Sequence, residues 1–127
     1  MKAIVDTHVF LWAISGDSRL SKRHRQLWLD ESSELFLSFA SVWEMLIKAG
    51  LGKLPLPTPH SSYIFKQMEK NRLTYLGIRP AYFTELEFLP PLHRDPFDRM
   101  LVAQARAERM PLANVNPLLP RYGIKVL

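Results

Sequence analysis

The chemistry on offer in this sequence is oxygen chemistry. Asp6, Glu44, Asp95 and Asp98 are acids, Asn116 adds an amide, and each lies where an element starts or ends. Carboxylates brought together repel, and the cluster must take up either protons or a cation. Ligands that are all oxygen favour Mg²⁺ or Mn²⁺ over softer metals. An ion held this way activates water and stabilises in-line attack at phosphorus. Taken one at a time, the same residues have structural roles open to them. Asp6 and Asn116 are good N-caps. Ser41 and Glu44 have the spacing of a capping box. Asp95 precedes Pro96 as a cap, and Asp98 then holds the third helical position, where the helix dipole favours an acid. Singly the caps are the simpler reading; jointly the acids point to an ion.

Hydrophobic periodicity and turn residues supply the elements that must position these groups. A short apolar strand, Lys2 to Val5, runs into Asp6, and His8 to Ile14 follows as a buried helix. Ser15 to Ser18 is a turn, and Leu20 to Leu29 a second helix with basic residues outward. Leu35 to Phe39 reads as a second buried strand and Ser41 to Ala49 as a third helix, stopped by Gly50 and Gly52. After the proline-rich Leu54 to Pro59 come a helix over Ser61 to Asn71 and a strand over Leu73 to Ile78. Pro80 to Glu87 is a short helix with proline at its start. A loop over Leu89 to Arg94 leads to the clearest amphipathic helix, Pro96 to Arg109. Pro111 to Ala113 is a weak fourth strand, Pro117 to Pro120 one helical turn, and Ile124 to Leu127 a final edge strand. This alternation predicts a mostly parallel sheet with helices on both faces. In such sheets active sites gather beyond the carboxyl ends of the strands, where all five residues fall.

The 127 residues suit one domain, and no repeat, linker or second domain is evident. A hydrophobic share of 47% and a charged share of 23% are those of a folded globule. The chain has no cysteine, which excludes thiolate metal sites, disulfides and cysteine nucleophiles. No apolar run reaches membrane-span length, and Asp6 comes too early for a secretion signal, so a cytoplasmic protein without a membrane partner is expected. The net charge of +5 and pI near 9.7 fit a polyanionic partner or a mildly basic surface.

Other residues carry weaker signals. Arg94 and Arg99 flank the acids and could hold a phosphate through forked hydrogen bonds, or pair with an acid such as Asp95. Lys48, four residues after Glu44, reads as an intrahelical partner or a substrate contact. Arg19, Lys22, Arg23 and Arg25 form a solvated basic face or a track for an RNA backbone. His8, His24, His60 and His93 lack metal-ligand spacing and receive no role. Trp12, Trp28 and Trp43 are expected in core or interface rather than as base platforms.

Three segments then make a specific match. They are Val5–Trp12 (VDTHVFLW), Ser41–Lys48 (SVWEMLIK) with Leu51–Leu54, and His93–Ala105 (HRDPFDRMLVAQA); the ending Tyr122–Leu127 also fits. The chain resembles PIN-domain ribonucleases, in particular the VapC-type toxins of bacterial toxin–antitoxin pairs, over essentially its whole length. The resemblance implies a single PIN-like domain over 1–127, three-layer α/β/α with a mostly parallel sheet of about five strands. It implies a Mg²⁺- or Mn²⁺-dependent ribonuclease, an RNA substrate, a cognate antitoxin protein and a homodimer. The family's acids fall on Asp6, Glu44 and Asp98, with Asp95 as the neighbouring acid and Asn116 completing the metal set. Asn114 and Asn116 depart from the family's Thr and Asp. A weakened or inactive PIN domain that binds RNA or antitoxin is therefore the second reading.

Overall fold

The computed structural model describes residues 1–127. Four strands form one parallel sheet: β1 (Lys2–Val5), β2 (Glu34–Ser38), β3 (Thr74–Leu76) and β4 (Leu112–Ala113), in the order β3-β2-β1-β4. Between β1 and β2 lie α1 (Thr7–Ser15) and α2 (Lys22–Leu29). Between β2 and β3 lie α3 (Phe39–Gly50) and α4 (His60–Lys70). Between β3 and β4 lie α5 (Pro80–Glu87) and α6 (Pro96–Glu108), and a 3₁₀ turn over Leu119–Tyr122 follows.

The period-two alternation of the strands divides the core. Ala3, Val5, Leu35, Leu37 and Ala113 pack on the side of α1, α2 and α4, with Phe10, Met45 and Ile64. Ile4 and Leu112 face the other way, onto Tyr82 of α5, Leu101 of α6 and Leu119. Helices thus cover both faces, which makes the expected three layers. Full burial of both faces explains the nearly continuous apolar runs of β1 and β2. Truncating a wholly buried side chain such as Leu37 or Leu101 costs roughly 2–5 kcal/mol.

The chain first builds the sheet in one direction, β1 to β2 to β3, and then crosses back to place β4 on the other side of β1. That reversal opens a crevice between the ends of β1 and β4. Asp6 N–H donates to the Ala113 carbonyl at 3.0 Å, so both strands end side by side there.

Two expectations change. The final edge strand, Ile124 to Leu127, is reduced to a single parallel bridge between Leu112 and Val126, so the sheet has four strands rather than about five. Its partner β4 is only two residues long, which leaves room for one bridge. The third helix begins at Phe39 rather than Ser41. Strand β2 passes directly into it, and the Ser38 hydroxyl accepts from Ala40 N–H at 3.0 Å as the cap. Ser41 is therefore inside the helix, and no capping box forms. Other termini move by a residue or two: α2 starts at Lys22 with Ser21 as its cap, α3 runs through Gly50 to a cap at Leu51, and α4 starts at His60, while Gly16 ends α1 at φ 65°, a left-handed angle that suits glycine. No helix is long and apolar enough to cross a membrane.

Candidate active site

Asp6 is both cap and site. Its Oδ1 accepts from Val9 N–H at 2.7 Å, closing the first turn of α1. Its Oδ2 accepts from the Asn114 side-chain amide at the end of β4. No cation touches it, and it is 3% exposed. Burial, joined by the charges of Asp98 and Glu44, pushes its carboxyl up to about 7, against the opposing Val9 hydrogen bond.

Glu44 lies in the second turn of α3, not the first, and caps nothing. Its Oε1 accepts from Thr7 Oγ1 at 2.7 Å and its Oε2 from Lys48 Nζ at 2.8 Å. The first contact ties the start of α1 to α3; the second is the i,i+4 pair that the spacing allows. Glu44 is 6% exposed, so its carboxylate is fixed at both oxygens in a place that water barely reaches.

Asp95 caps α6, accepting from the backbone N–H groups of Phe97 at 2.8 Å and Asp98 at 3.1 Å. Asp98 then stands in the first turn with its side chain free to face His93, whose Nε2 is 2.9 Å from Asp98 Oδ2. Burial raises the Asp98 carboxyl above its usual range, with Asp95 and Glu44 adding to the rise and His93 opposing it. His93, Asp95 and Asp98 form the one group of three such side chains whose ligand atoms all lie within 4.8 Å of one another. Asp6 and Glu44 stand outside that group and act on it through space.

Asn116 joins the rim as an amide. Its Oδ1 accepts from Leu118 N–H at 2.9 Å, which fixes the orientation of the amide and puts Nδ2 3.3 Å from His93 Nε2. One tautomer cannot serve both neighbours of that nitrogen. A protonated Nε2 opposes the Asn116 donor; a bare Nε2 accepts from it and leaves Asp98 needing a proton or a cation. Asn114, buried at 5% exposure, links the set: its Nδ2 donates to Asp6, and its Oδ1 accepts from Asn116 N–H.

The arginines part company. Arg99 is bound by the loop before α6, donating to the carbonyls of Leu89, Pro90 and His93 and to the Tyr122 hydroxyl. It fastens that loop, and its guanidinium is not available as the sequence suggested. Arg94 is exposed and makes no ion pair. Sequence reasoning passed over Thr7, gave His93 no role and named Asn114 only as a departure from the family pattern. The signal for His93 was its place five residues before Asp98 across a helix start, a spacing that brings the two together only when Pro96 begins the helix.

A buried carboxylate with no basic side chain beside it, a second acid facing His93, and further carboxylate oxygens from Glu44 and Asp95 fit a hard divalent ion, whereas Asn116 turns its amide NH₂ to the rim because Leu118 N–H takes its oxygen. The donor set is oxygen throughout, with one imidazole nitrogen beside it.

The PIN domain family model matches residues 3–124. Ribonuclease VapC16 of Mycobacterium tuberculosis is 29% identical over 94 residues, which are 74% of this chain and 53% of that protein. The chain thus spans about half the length of the curated relative it matches. VapBC2 from Rickettsia felis, solved bound to a DNA fragment from its promoter, superposes with a TM-score of 0.75 at 16% identity over 100% of this chain and 98% of that one. VapBC-1 from nontypeable Haemophilus influenzae gives 0.66 at 16% identity, covering 100% and 97%. With the family model matched over residues 3–124, the chain belongs to the PIN-domain family.

Proposed function

We propose that this chain is a divalent-metal-dependent endoribonuclease, the toxin of a toxin–antitoxin pair, made of one PIN-like domain over 1–127. The observation that carries the reading is Asp6: a carboxyl buried at 3% exposure, near two other acids and with no cation, costs stability unless it holds a proton or an ion. Asp6, Glu44 and Asp98 would hold Mg²⁺ or Mn²⁺, with Asp95 beside them; Asn116 would add its carbonyl oxygen only on giving up its bond to Leu118 N–H. When bound, the ion supplies Lewis-acid polarisation of a phosphate and a more acidic water.

The chain's own residues prepare that site. The Val9 N–H fixes one oxygen of Asp6 while Asn114 holds the other. Thr7 sets the rotation of the Glu44 carboxylate, and Lys48 balances its charge until an ion replaces it. Asp95 anchors the helix start that presents Asp98. His93 orients the Asp98 carboxyl through its Nε2, 2.9 Å from Oδ2. Arg94, exposed and without a partner, is placed to hold a phosphate of the RNA; Arg99 supports the loop that carries it.

Similarity to the ribonuclease VapC16 and to the VapBC assemblies supports the ribonuclease activity and the antitoxin partner. A homodimer is supported by the unpartnered apolar face of Trp43, Tyr75 and Ile78, each half or more exposed. A cytoplasmic location follows from this role and is part of the proposal. The second reading, a PIN domain that binds RNA or antitoxin without cutting, is favoured by Asn116, a neutral amide where an acid is expected.

RNA cleavage by the purified chain in Mn²⁺, in Mg²⁺ and in EDTA, with Asp6→Asn alongside, separates the two. The enzyme reading requires cleavage that depends on metal and disappears in the variant. Folded protein that cuts nothing in either metal moves the assignment to the binding reading.

A further inference from the structure

A groove of about 450 Å³ adjoins the acids and shares Thr7 and Lys48 with them. Both of those side chains touch Glu44, so whatever enters the groove meets the site. Its remaining wall joins aromatic surface to positive charge: Trp12, Tyr63, Arg19 and Lys53 line it. Asp17 is the only carboxylate among the lining residues, and it is already bound to Arg19.

Arg19, although exposed, is held on two sides. Its Nε and Nη2 donate to Asp17 at 3.1 and 2.7 Å. Its guanidinium carbon sits 5.2 Å from the centre of the Trp12 ring. His8 supports the other partner, with ring centroids 5.6 Å apart from Trp12. A free arginine loses considerable side-chain entropy on binding; this one has lost much of it already, while Nη1 makes no hydrogen bond within the chain. A fixed guanidinium with open donors suits a phosphate, and the partly exposed aromatic rings suit a base. The basic run of the sequence is also divided here. Arg19 faces the groove, whereas Lys22 and Arg25 are exposed on α2 and take no part in its lining.

We propose that this groove is a nucleotide subsite that receives the single-stranded RNA flanking the scissile phosphate, with Arg19 and Lys53 on its phosphates and Trp12 and Tyr63 against a base. The inference rests on the ribonuclease reading for the position of the scissile phosphate. Its binding test does not depend on cleavage. Charge favours RNA over an acidic peptide only in combination with the rings, and a protein segment in the groove is the competing outcome.

The test is fluorescence anisotropy with a labelled six-nucleotide single-stranded RNA and the whole chain in EDTA, where no metal-dependent cleavage intervenes. Arg19→Ala and Lys53→Ala should each weaken binding about threefold to tenfold and flatten the salt dependence by about 0.7 of a charge. Trp12→Leu should weaken it without changing the salt slope. Lys22→Ala combined with Arg25→Ala should leave binding as it was. In steady-state cleavage, Arg19→Ala should raise KM with kcat nearly unchanged. Equal RNA affinity in wild type, Arg19→Ala and Lys53→Ala overturns the subsite and leaves the groove to a protein segment, as does absence of RNA binding by the wild type. A chain that binds RNA through Arg19 but cuts nothing in any metal keeps the subsite and removes the nuclease.

Discussion

Three acids of the outer surface and Asp6 of the crevice are treated in opposite ways. Asp17, Glu85 and Glu108 each have an arginine: Arg19 at 2.7 Å, Arg106 at 3.0 Å and Arg79 at 2.7 Å. The hydrogen bonds and charge of Arg19 hold the Asp17 carboxyl down to about 2. Asp6 has an amide and a backbone N–H instead, and its carboxyl rises to about 7. The chain has arginines to place and uses them where water already weakens the need. The crevice, where a cation would matter most, lacks an arginine at Asp6, and on the proposed function that place is left for a cation supplied from outside.

Removing the charge from the crevice should have the largest effect. Asp6→Asn keeps the Val9 cap, since asparagine caps well, and should lower RNA cleavage by about a thousandfold or more with the fold intact. Single-turnover cleavage beside a circular dichroism spectrum checks it; a variant that cuts at the wild-type rate breaks the account.

The pH dependence of stability comes next. The folded-state pKa of Asp6 is raised from 3.8 to about 7, so the folded chain binds a proton that the unfolded chain has released. The contribution of this group is fully favourable below pH 3.8 and is lost as pH rises through 7, by roughly 4 kcal/mol at most. Asp98 is shifted the same way and adds to the slope. In EDTA the denaturation midpoint of the wild type should therefore fall relative to that of Asp6→Asn between pH 4.5 and 8. Parallel curves would mean that Asp6 is not buried as a charge. Asp17, with its lowered pKa, contributes in the opposite direction and at lower pH.

A gain of charge should act more mildly. Asn116→Asp adds an acid beside His93 and should tighten Mn²⁺ binding by about tenfold, a difference that calorimetry resolves. Unchanged affinity would place residue 116 outside the reach of the ion. The surface pairs should matter least. Arg79→Ala removes the partner of Glu108, and both cleavage and the denaturation midpoint should stay within the error of the measurement, as exposed ion pairs contribute little. A clear loss of cleavage there would erase the contrast between surface and crevice.

Much of this arrangement was legible in the residues, and the parts that were not share a cause. Helix starts marked by Pro80 and Asp95-Pro96 fell where expected, because proline and a cap fix the first turn locally. The start of α3 did not, since Ser38 and Ser41 both offer a cap and only the packing of β2 into the sheet chooses Ser38. The final strand dissolved into one bridge for a similar reason: its length is set by the two residues of β4, not by its own apolar pattern. In the proposed site, Asp6 and Asp98 could be placed from a strand end and a helix start, while Glu44 lies one turn further into α3 than its spacing from Ser41 suggested. His93 and Arg99 could not, because their roles depend on how one loop folds back over α6.

Titration of Mn²⁺ into the metal-free chain at pH 7, following heat and proton release together, tests the central claim most directly. A crevice that takes a cation should show saturable binding with release of protons held by Asp6, and both should vanish in Asp6→Asn. Folded wild-type protein that takes up no Mn²⁺, or binding and proton release that persist unchanged in the variant, would contradict it.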